Sequence, residues 1–438
     1  MGHMAAKDIY GDLSDKIDGM WVRAPKKKSF YEVLKLLYSP EEAEMVVSMP
    51  YGFSDLSRIA KLAQKPEAET RKILEGLADK GLVLDIAPAS QTFYMVSPIV
   101  IGLFEFTMMR TDPDVDHKQA AKLFQNCMLE DGALFAANFP KGSKMSVMRT
   151  LPHESAVRPE QYVEILDYEK AAALVETFDT FTVGICSCRH KKLHLDEKEC
   201  DVPLESCLSF GMAAEYLIRR KLAKQVSKEQ MHETLKISVE KGLVLNSDNT
   251  RRGIRFICQC CGCCCTMLNG VATYGYANAL ITSSFIAQVR ENECIGCGKC
   301  AKACPIHAIT LKEAGVNEKG KVRKKAVVDH SICLGCGVCA LSCKTKALAL
   351  EKRAQKVIHP STTFERVILQ TLDKGTLQNQ IFDDPKSITH RTMRAVTGAF
   401  LNLPPVKQAL MSDALRSRFL SAMSAGIKMQ GKGWMLDL

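Results

Sequence analysis

The chain has 438 residues and a formal net charge of +10, with 46% apolar and 25% charged residues. Those proportions are ordinary for a soluble globular protein of roughly two to four domains. No window approaches the ~20 uninterrupted apolar residues of a membrane span, which excludes an integral membrane protein. The positive excess favours acidic partners, but it is spread along the chain and does not choose between flavin proteins, nucleic acid and a membrane surface.

Residues 1–25 read as a tag and N-terminal arm, because MGHM has the look of a cloning scar and AAKDIYGDLSDK is polar. No apolar signal stretch is visible, so a cytoplasmic location is expected. Helical periodicity then runs through KKSFYEVLKLLYS, and Pro40-Glu41-Glu42 opens a second helix, EEAEMVVSM. FSDLSRIAKLAQ and PEAETRKILEGLADKGL form a helix pair, and the strand-like runs VLDI and TFYMV follow around an APASQ turn. Helix, helix and hairpin in that order predict a winged-helix-like domain over residues 26–100.

Its charge argues against DNA. The presumed recognition helix sets Glu67, Glu69, Glu75 and Asp79 against Arg71, Lys72 and Lys80, and the wing from Asp85 to Val96 holds no Lys or Arg. Phosphate neutralisation supplies most non-specific DNA affinity, so nucleic acid is an improbable partner. The domain is expected to dock a protein or to pair two subunits of a homodimer.

Residues 101–180 alternate in pattern and predict an α/β connecting segment. DHKQAAKLFQNCMLEDGALFAANF is helical, KMSVMRTL and EQYVEIL look like strands, and DYEKAAALVETFD leads as a helix into the strand FTVGICSC. Cys127 lies on the apolar side of its helix and reads as a core residue.

Nineteen cysteines are present, and apart from Cys127 they all fall between Cys186 and Cys343. A chain this long can bury cores without disulfide staples, and nothing marks it as secreted, so the thiols point to metal. The most specific pattern is ECIGCGKCAKACPIHAITL, with Cys294, Cys297, Cys300 and Cys304, repeated as ICLGCGVCALSCKTKALAL, with Cys333, Cys336, Cys339 and Cys343. Both copies follow C-x2-C-x2-C-x3-C. A [4Fe-4S] cubane needs one thiolate per iron, and two-residue gaps let a loop wrap three corners. Gly296, Gly298, Gly335 and Gly337 allow close backbone approach.

Residues 288–352 resemble the two-cluster bacterial ferredoxins. The resemblance implies two [4Fe-4S] clusters, with the fourth cysteine of each run serving the other one. Cys294, Cys297, Cys300 and Cys343 would hold one cluster, and Cys333, Cys336, Cys339 and Cys304 the other. It also implies that AITL and ALAL are paired short strands. The chain departs from the pattern at Lys344, where a proline is usual, and in a basic insert, KEAGVNEKGKVRKKAVVD. The insert's Lys312, Lys319, Lys321, Arg323, Lys324 and Lys325 form either a docking hairpin for an acidic redox partner or a solvated loop.

Ten cysteines lie upstream in a cysteine-rich domain, residues 181–287. Cys186, Cys188, Cys200 and Cys207 fall in ICSCRHKKLHLDEKECDVPLESCLSFG, and Cys258, Cys260, Cys261, Cys263, Cys264 and Cys265 in FICQCCGCCC. Neighbouring side chains point apart, so the six-cysteine run is expected to face two ways. Some of its thiolates would complete the site begun by Cys186 to Cys207, others would bind a separate cluster, and Gly262 would supply the bend. One or two further [4Fe-4S] clusters fit the count, and zinc on Cys186, Cys188, Cys200 and Cys207 is the alternative. The run Arg189-His190-Lys191-Lys192 would offset the charge of an anionic centre, or form a solvated basic loop.

The arrangement as a whole resembles a group of multi-cluster, ferredoxin-type iron-sulfur proteins of anaerobes. FYEVLKLLYSPEEAEM, LFEFTMMR, GICSCRHKKLHL, DVPLESCLSFG, FICQCCGCCC, the dicluster pair and FERVILQTLDKG carry that resemblance. It implies electron transfer by iron-sulfur clusters and no established reaction.

Residues 353–438 read as helices, TFERVILQTLDKG, SITHRTMRAVTGAFLNL and VKQALMSDALRSRFLSAMSAGIKM, the last two broken by Pro404 and Pro405. They are expected to pack on the cluster domain. Arg391, Arg394, Lys407, Arg416, Arg418 and Lys428 admit a peripheral membrane contact. The whole is thus an α+β multidomain protein, expected to pass electrons between a low-potential donor and a partner flavoprotein or oxidoreductase. One competing reading is a reductase with a substrate-accessible cluster in residues 186–265. Another is a cluster-based, redox-sensing winged-helix regulator. No flavin fingerprint, acid/base pair or phosphate-binding glycine motif marks a catalytic residue.

Overall fold

A computed structural model describes residues 8–24, 26–88, 91–130, 132–140, 143, 145–275, 279–316, 322–354 and 359–437. The chain is a mixed α/β protein that divides into two compact units, residues 1–140 with 364–438 and residues 141–363. Among the described residues no helix is long and apolar enough to cross a membrane.

The first unit begins with a helix that its polar sequence concealed. In α1 (Ile9–Asp18) the Asp8 side chain caps the first turn by accepting from the Gly11 amide, and Leu13 and Ile17 are fully buried. The segment expected to be an arm is therefore part of the core. Helix α2 (Lys28–Leu37) buries Phe30, Val33 and Leu34, one helical stripe. Helix α3 (Pro40–Ser48) starts on Pro40 behind a capping box, in which Ser39 Oγ accepts from the Glu42 amide and Glu42 from the Ser39 amide.

Strand β1 (Ser54–Asp55), α4 (Leu56–Ala63), α5 (Glu67–Asp79), β2 (Val83–Ile86) and β3 (Phe93–Val96) follow, with an antiparallel sheet in the order β1-β3-β2. The APASQ connection lies partly outside the described residues. Three short helices, α6 (Phe104–Met109), α7 (His117–Gln125) and α8 (Ala133–Asn138), complete this stretch, and Cys127 is buried between the last two.

The C-terminal helices correct an expectation. Thr363–Lys374, Leu377–Ile381, Ile388–Leu401, Pro404–Met411 and Asp413–Met429 belong from Phe364 onward to this first unit and not to the cysteine-bearing one. Phe364, Ile368, Leu372, Leu377 and Leu401 build a cluster of their own. Side chains of this segment also bind the N-terminal backbone: Lys374 Nζ donates to Trp21 O, Thr376 Oγ1 to Met20 O and Asn379 Nδ2 to Gly19 O. Arg58 makes a two-pronged ion pair with Asp383 at 2.7 and 3.0 Å.

The second unit is built on a seven-stranded sheet. Its elements are β4 (Met148–Leu151), α9 (Ala171–Glu176), β5 (Phe181–Ile185), α10 (Ser187–His194), β6 (Glu205–Phe210) and α11 (Gly211–Arg219). They continue with β7 (Ala223–Val226), α12 (Lys228–Glu240), β8 (Val244–Asp248), β9 (Phe256–Cys260), α13 (Thr266–Tyr274) and β10 (Leu280–Ile281). EQYVEIL, expected as a strand, is instead a 3-10 segment, Pro159–Glu164, since the fixed φ of Pro159 suits a helical first turn. The strand order is β10-β4-β8-β9-β6-β5-β7, antiparallel except for β10 with β4. Leu151, Phe181, Val183, Leu208, Phe210, Leu245 and Ile257 from the strands pack with Leu174, Val175, Met231 and Leu235 from α9 and α12.

The same unit ends in two hairpin-like ladders. Strand β11 (Phe285–Val289) leads to α14 (Lys299–Ala303), β12 (Ile309–Val316), β13 (Val322–Val328), α15 (Val338–Leu341) and β14 (Leu348–Lys352). AITL and ALAL do not pair with each other. Ile309 of β12 lies opposite Val328 of β13, while Leu348 of β14 lies opposite Val289 of β11. The basic insert supplies β12 with a partner strand of its own, so it is a hairpin; Lys319 and Lys321 lie outside the described residues.

Candidate metal centres

The eight cysteines of residues 294–343 line two cavities. One is walled by Cys304, Cys333, Cys336 and Cys339, with Ala287, Ile306 and Leu334. The other is walled by Cys294, Cys297, Cys300 and Cys343, with Val289, Leu311 and Leu348. The fourth cysteine of each run thus faces the cavity of the other run. The donor chemistry fits a cubane in each: four thiols, an apolar wall and backbone amides turned toward sulfur. Ala308 N donates to Cys304 Sγ at 3.2 Å.

Glycine is required at these loops for two reasons at once. Gly335 has φ +69°, and a Cβ there would lie 2.1 Å from Phe285 O; Gly296 has φ +67°, and its Cβ would lie 2.1 Å from Lys324 O. Burial raises the thiol pKa of Cys300, of Cys304 and of Cys336, the last to about 12. These side chains are protonated until a metal displaces the proton. Spacing gave no sign of two residues that brace the Cys333 loop. Ser283 Oγ donates to Gly335 O at 2.7 Å, and the Arg353 guanidinium donates to the carbonyls of Cys333 and Phe285.

The upstream cysteines gather at one end of the large sheet. Strands β5, β6 and β9 are neighbours, and their register sets Cys207 opposite both Gly184 and Cys258. Cys186 therefore follows the end of β5, and Cys260 closes β9, at the same sheet end. Cys186 and Cys265 occupy the N-cap positions of α10 and α13. Thiol contacts run from Cys186 to Cys188, Cys188 to Cys265, Cys265 to Cys260 and Cys260 to Cys258. The amides of Arg189 and Thr266, in the first turns of those two helices, point at the sulfurs of Cys186 and Cys188. Two helix N-termini thus face one group of thiols; contacts with Cys186 and Cys265 lower the pKa of Cys188, while the thiol contacts and burial raise those of Cys186, Cys260 and Cys265.

The remaining four separate from these. Cys200 Sγ lies 3.6 Å from Cys261 Sγ and 3.8 Å from Cys264 Sγ, and Cys263 and Cys264 are 3.5 Å apart. All four sulfurs lie within 4.8 Å of one another. The sulfur of Cys200, from the loop after α10, lies with those of Cys261 and Cys264 and not in a quartet with Cys186, Cys188 and Cys207. Gly262 lies within the bend of the run, without a left-handed backbone. It lies in a turn closed by Cys265 N to Cys261 O at 3.2 Å, and its lack of a side chain admits Pro305, whose Cα would be 3.2 Å from a Cβ.

The basic run is a buried helix, not a solvated loop. Arg189, His190 and Lys191 are all buried. Arg189 donates to Ser206 Oγ at 2.6 Å and to Gln259 O at 2.5 Å. Burial works against its charge, but the thiols of Cys186, Cys261 and Cys260 around it outweigh that and raise its pKa. It is a fixed cation between the two upstream groups. Lys191 donates to Thr266 Oγ1 at 3.2 Å, and burial pulls its pKa down to about 8.

Residues 293–347 match the family model described as 4Fe-4S dicluster domain. No curated protein and no solved structure matches the chain. The chain therefore contains an iron-sulfur, ferredoxin-like segment, set beside a separate cysteine-rich region.

Proposed function

We propose that this protein carries single electrons between a low-potential donor and a partner flavoprotein or oxidoreductase. The observation that carries the reading is the difference in exposure between the two ferredoxin cavities. Cys297 is exposed and Ile295 is 71% exposed beside the first, whereas Cys304, Cys333 and Cys339 of the second are buried. When bound, [4Fe-4S] clusters would supply reversible one-electron storage at the two cavities. The chain's own residues hold the thiolates, exclude water from the inner cavity and turn amides toward sulfur.

The surroundings of the outer cavity support an acidic partner. Lys299, Lys324, Lys344 and Lys346 are exposed, and the basic hairpin contributes Leu311 and Ala326 to the cavity wall. Such a patch steers an acidic protein toward the exposed thiolate. From the inner cavity, the contact of Gly262 with Pro305 connects the loop of Cys304 to the upstream cysteines. There Cys186, Cys188, Cys260 and Cys265, with Cys258 and Cys207 beside them, would hold one further cluster. The helix-strand-helix-helix-hairpin order and the β1-β3-β2 sheet support a winged-helix module, used for docking or dimerisation.

Anaerobic redox titration followed by electron paramagnetic resonance tests this. The expected result is at least about eight irons per chain and reduced signals that a one-electron dye such as methyl viologen discharges with no small-molecule substrate present. Fewer irons, or reoxidation that requires a substrate, would sink the electron-carrier reading.

A further inference from the structure

The tight quartet is the wrong size for a cubane. Four thiolates on a single tetrahedral ion, with metal-sulfur bonds near 2.3 Å, stand about 3.8 Å apart. Around a cubane each thiolate has its own iron behind it, and the sulfurs spread to about 6 Å. Cys200, Cys261, Cys263 and Cys264 show separations of 3.5 to 3.8 Å in the three closest pairs. Among the described residues no other set of three or more ligand groups closes to within 4.8 Å, the two ferredoxin quartets included. The tight spacing is thus confined to this quartet among the described residues.

We propose that Cys200, Cys261, Cys263 and Cys264 form a closed tetrathiolate site for one zinc ion. Cys261-Gly262-Cys263-Cys264 is a C-x2-C knuckle, and Cys200 arrives from the loop between α10 and β6 to close the tetrahedron. Tetrahedral four-sulfur sites suit zinc or iron, and the general order of divalent affinities favours zinc over ferrous iron. Four thiolates on a divalent ion leave a net charge of about −2, which the buried Arg189 guanidinium next to Cys261 partly offsets. All four ligand positions are filled by the chain, so the ion is structural: it ties the Cys200 loop to the turn that abuts Pro305. This assignment removes the quartet from the redox centres and is otherwise independent of the electron-transfer reading.

The full chain, purified anaerobically, is analysed for zinc and iron together and by X-ray absorption at the zinc edge. The expected result is one zinc per chain with four sulfur neighbours at about 2.3 Å. Cys200→Ala should lower zinc at least tenfold and leave iron unchanged, whereas Cys297→Ser should lower iron and leave zinc unchanged. Loss of about four irons in Cys200→Ala would overturn the single-ion site. A lone iron with mononuclear thiolate absorption, or zinc bound through nitrogen or oxygen, would overturn the zinc assignment. If Cys200→Ala does not fold, the edge spectrum of the unaltered chain still decides. Failure of the electron-transfer reading would appear separately, in the iron count and in dye reoxidation.

Discussion

Two quartets in the second unit each take three cysteines from one short stretch and a fourth from a distance, yet only one of them draws its sulfurs together. In the outer ferredoxin cavity, Cys294, Cys297 and Cys300 come from one loop, and left-handed glycines shape its wrap; only Cys343 arrives from a distance. In the tight quartet Cys200 is brought to Cys261, Cys263 and Cys264 by sheet pairing, since β6 must lie between β5 and β9 before the loop and the turn can meet. The loop from Cys294 to Cys300, wound through left-handed glycines, leaves room for a cluster between its sulfurs, whereas the shorter turn from Cys261 to Cys264 holds its sulfurs close to that of Cys200, with room for one ion.

The largest effect expected from this contrast is at Cys304. Cys304→Ser should abolish the inner cluster, about four irons, and spare the outer one. Loss of the outer signals in paramagnetic resonance would mean that each run keeps its own fourth cysteine. Next is the positioning cation of the upstream groups. Arg189→Gln leaves buried thiolates without their guanidinium and should cost about 3 kcal/mol in denaturant stability. The metal lost should come from residues 186–265 and not from the ferredoxin cavities.

Gly335→Ala sharpens the contrast from the local side. It combines a left-handed backbone with a carbonyl 2.1 Å away, and should cost about 3 kcal/mol. Gly275→Ala, also at positive φ (+69°) but with nothing within 4 Å, should cost only about 1 kcal/mol by the same denaturation assay. Equal losses would show that backbone strain alone governs the loop.

A smaller effect than that of Gly335→Ala is on the pH dependence of the sheet. Burial, with Arg149 and Arg251 nearby, lowers His359 from 6.5 to about 3. Its Nδ1 lies 2.7 Å from Asn249 Oδ1. Between those pH values the unfolded chain binds a proton that the folded chain refuses. Stability is therefore full well above pH 6.5 and declines as pH falls, by about 1.4 kcal/mol at pH 5.5. His359→Gln should flatten that slope, and an unchanged slope would refute it.

The ferredoxin segment was legible in the sequence because its ligands sit at short fixed intervals with glycines between them. The α2 to β3 run was legible because Pro40, Ser39 and the Phe30, Val33, Leu34 stripe act within one or two helical turns. What escaped depended on distant partners. Polar spacing concealed α1, which buries Ser14 and Lys16 along with Leu13 and Ile17. Alternation in EQYVEIL imitated a strand until Pro159 set a helical turn. Cys200 could not be assigned to Cys261 and Cys264 without the order of the strands, and Arg353 lies outside both cysteine motifs although it binds the Cys333 carbonyl.

The discontinuous first unit has a consequence for synthesis. Residues 8–140 leave the ribosome well before Lys374, Thr376 and Asn379, whose side chains bind the Trp21, Met20 and Gly19 carbonyls. They also precede Asp383, the partner of Arg58, and Trp434, whose ring packs on Phe53 and Phe93 at 5.7 and 4.9 Å. Every strand of the second unit's sheets, by contrast, lies within 141–363. Domains fold as units while the chain is being made. The later-encoded unit is therefore the first that can mature, and its thiols can take up metal while the earlier-encoded one still waits for its last helices.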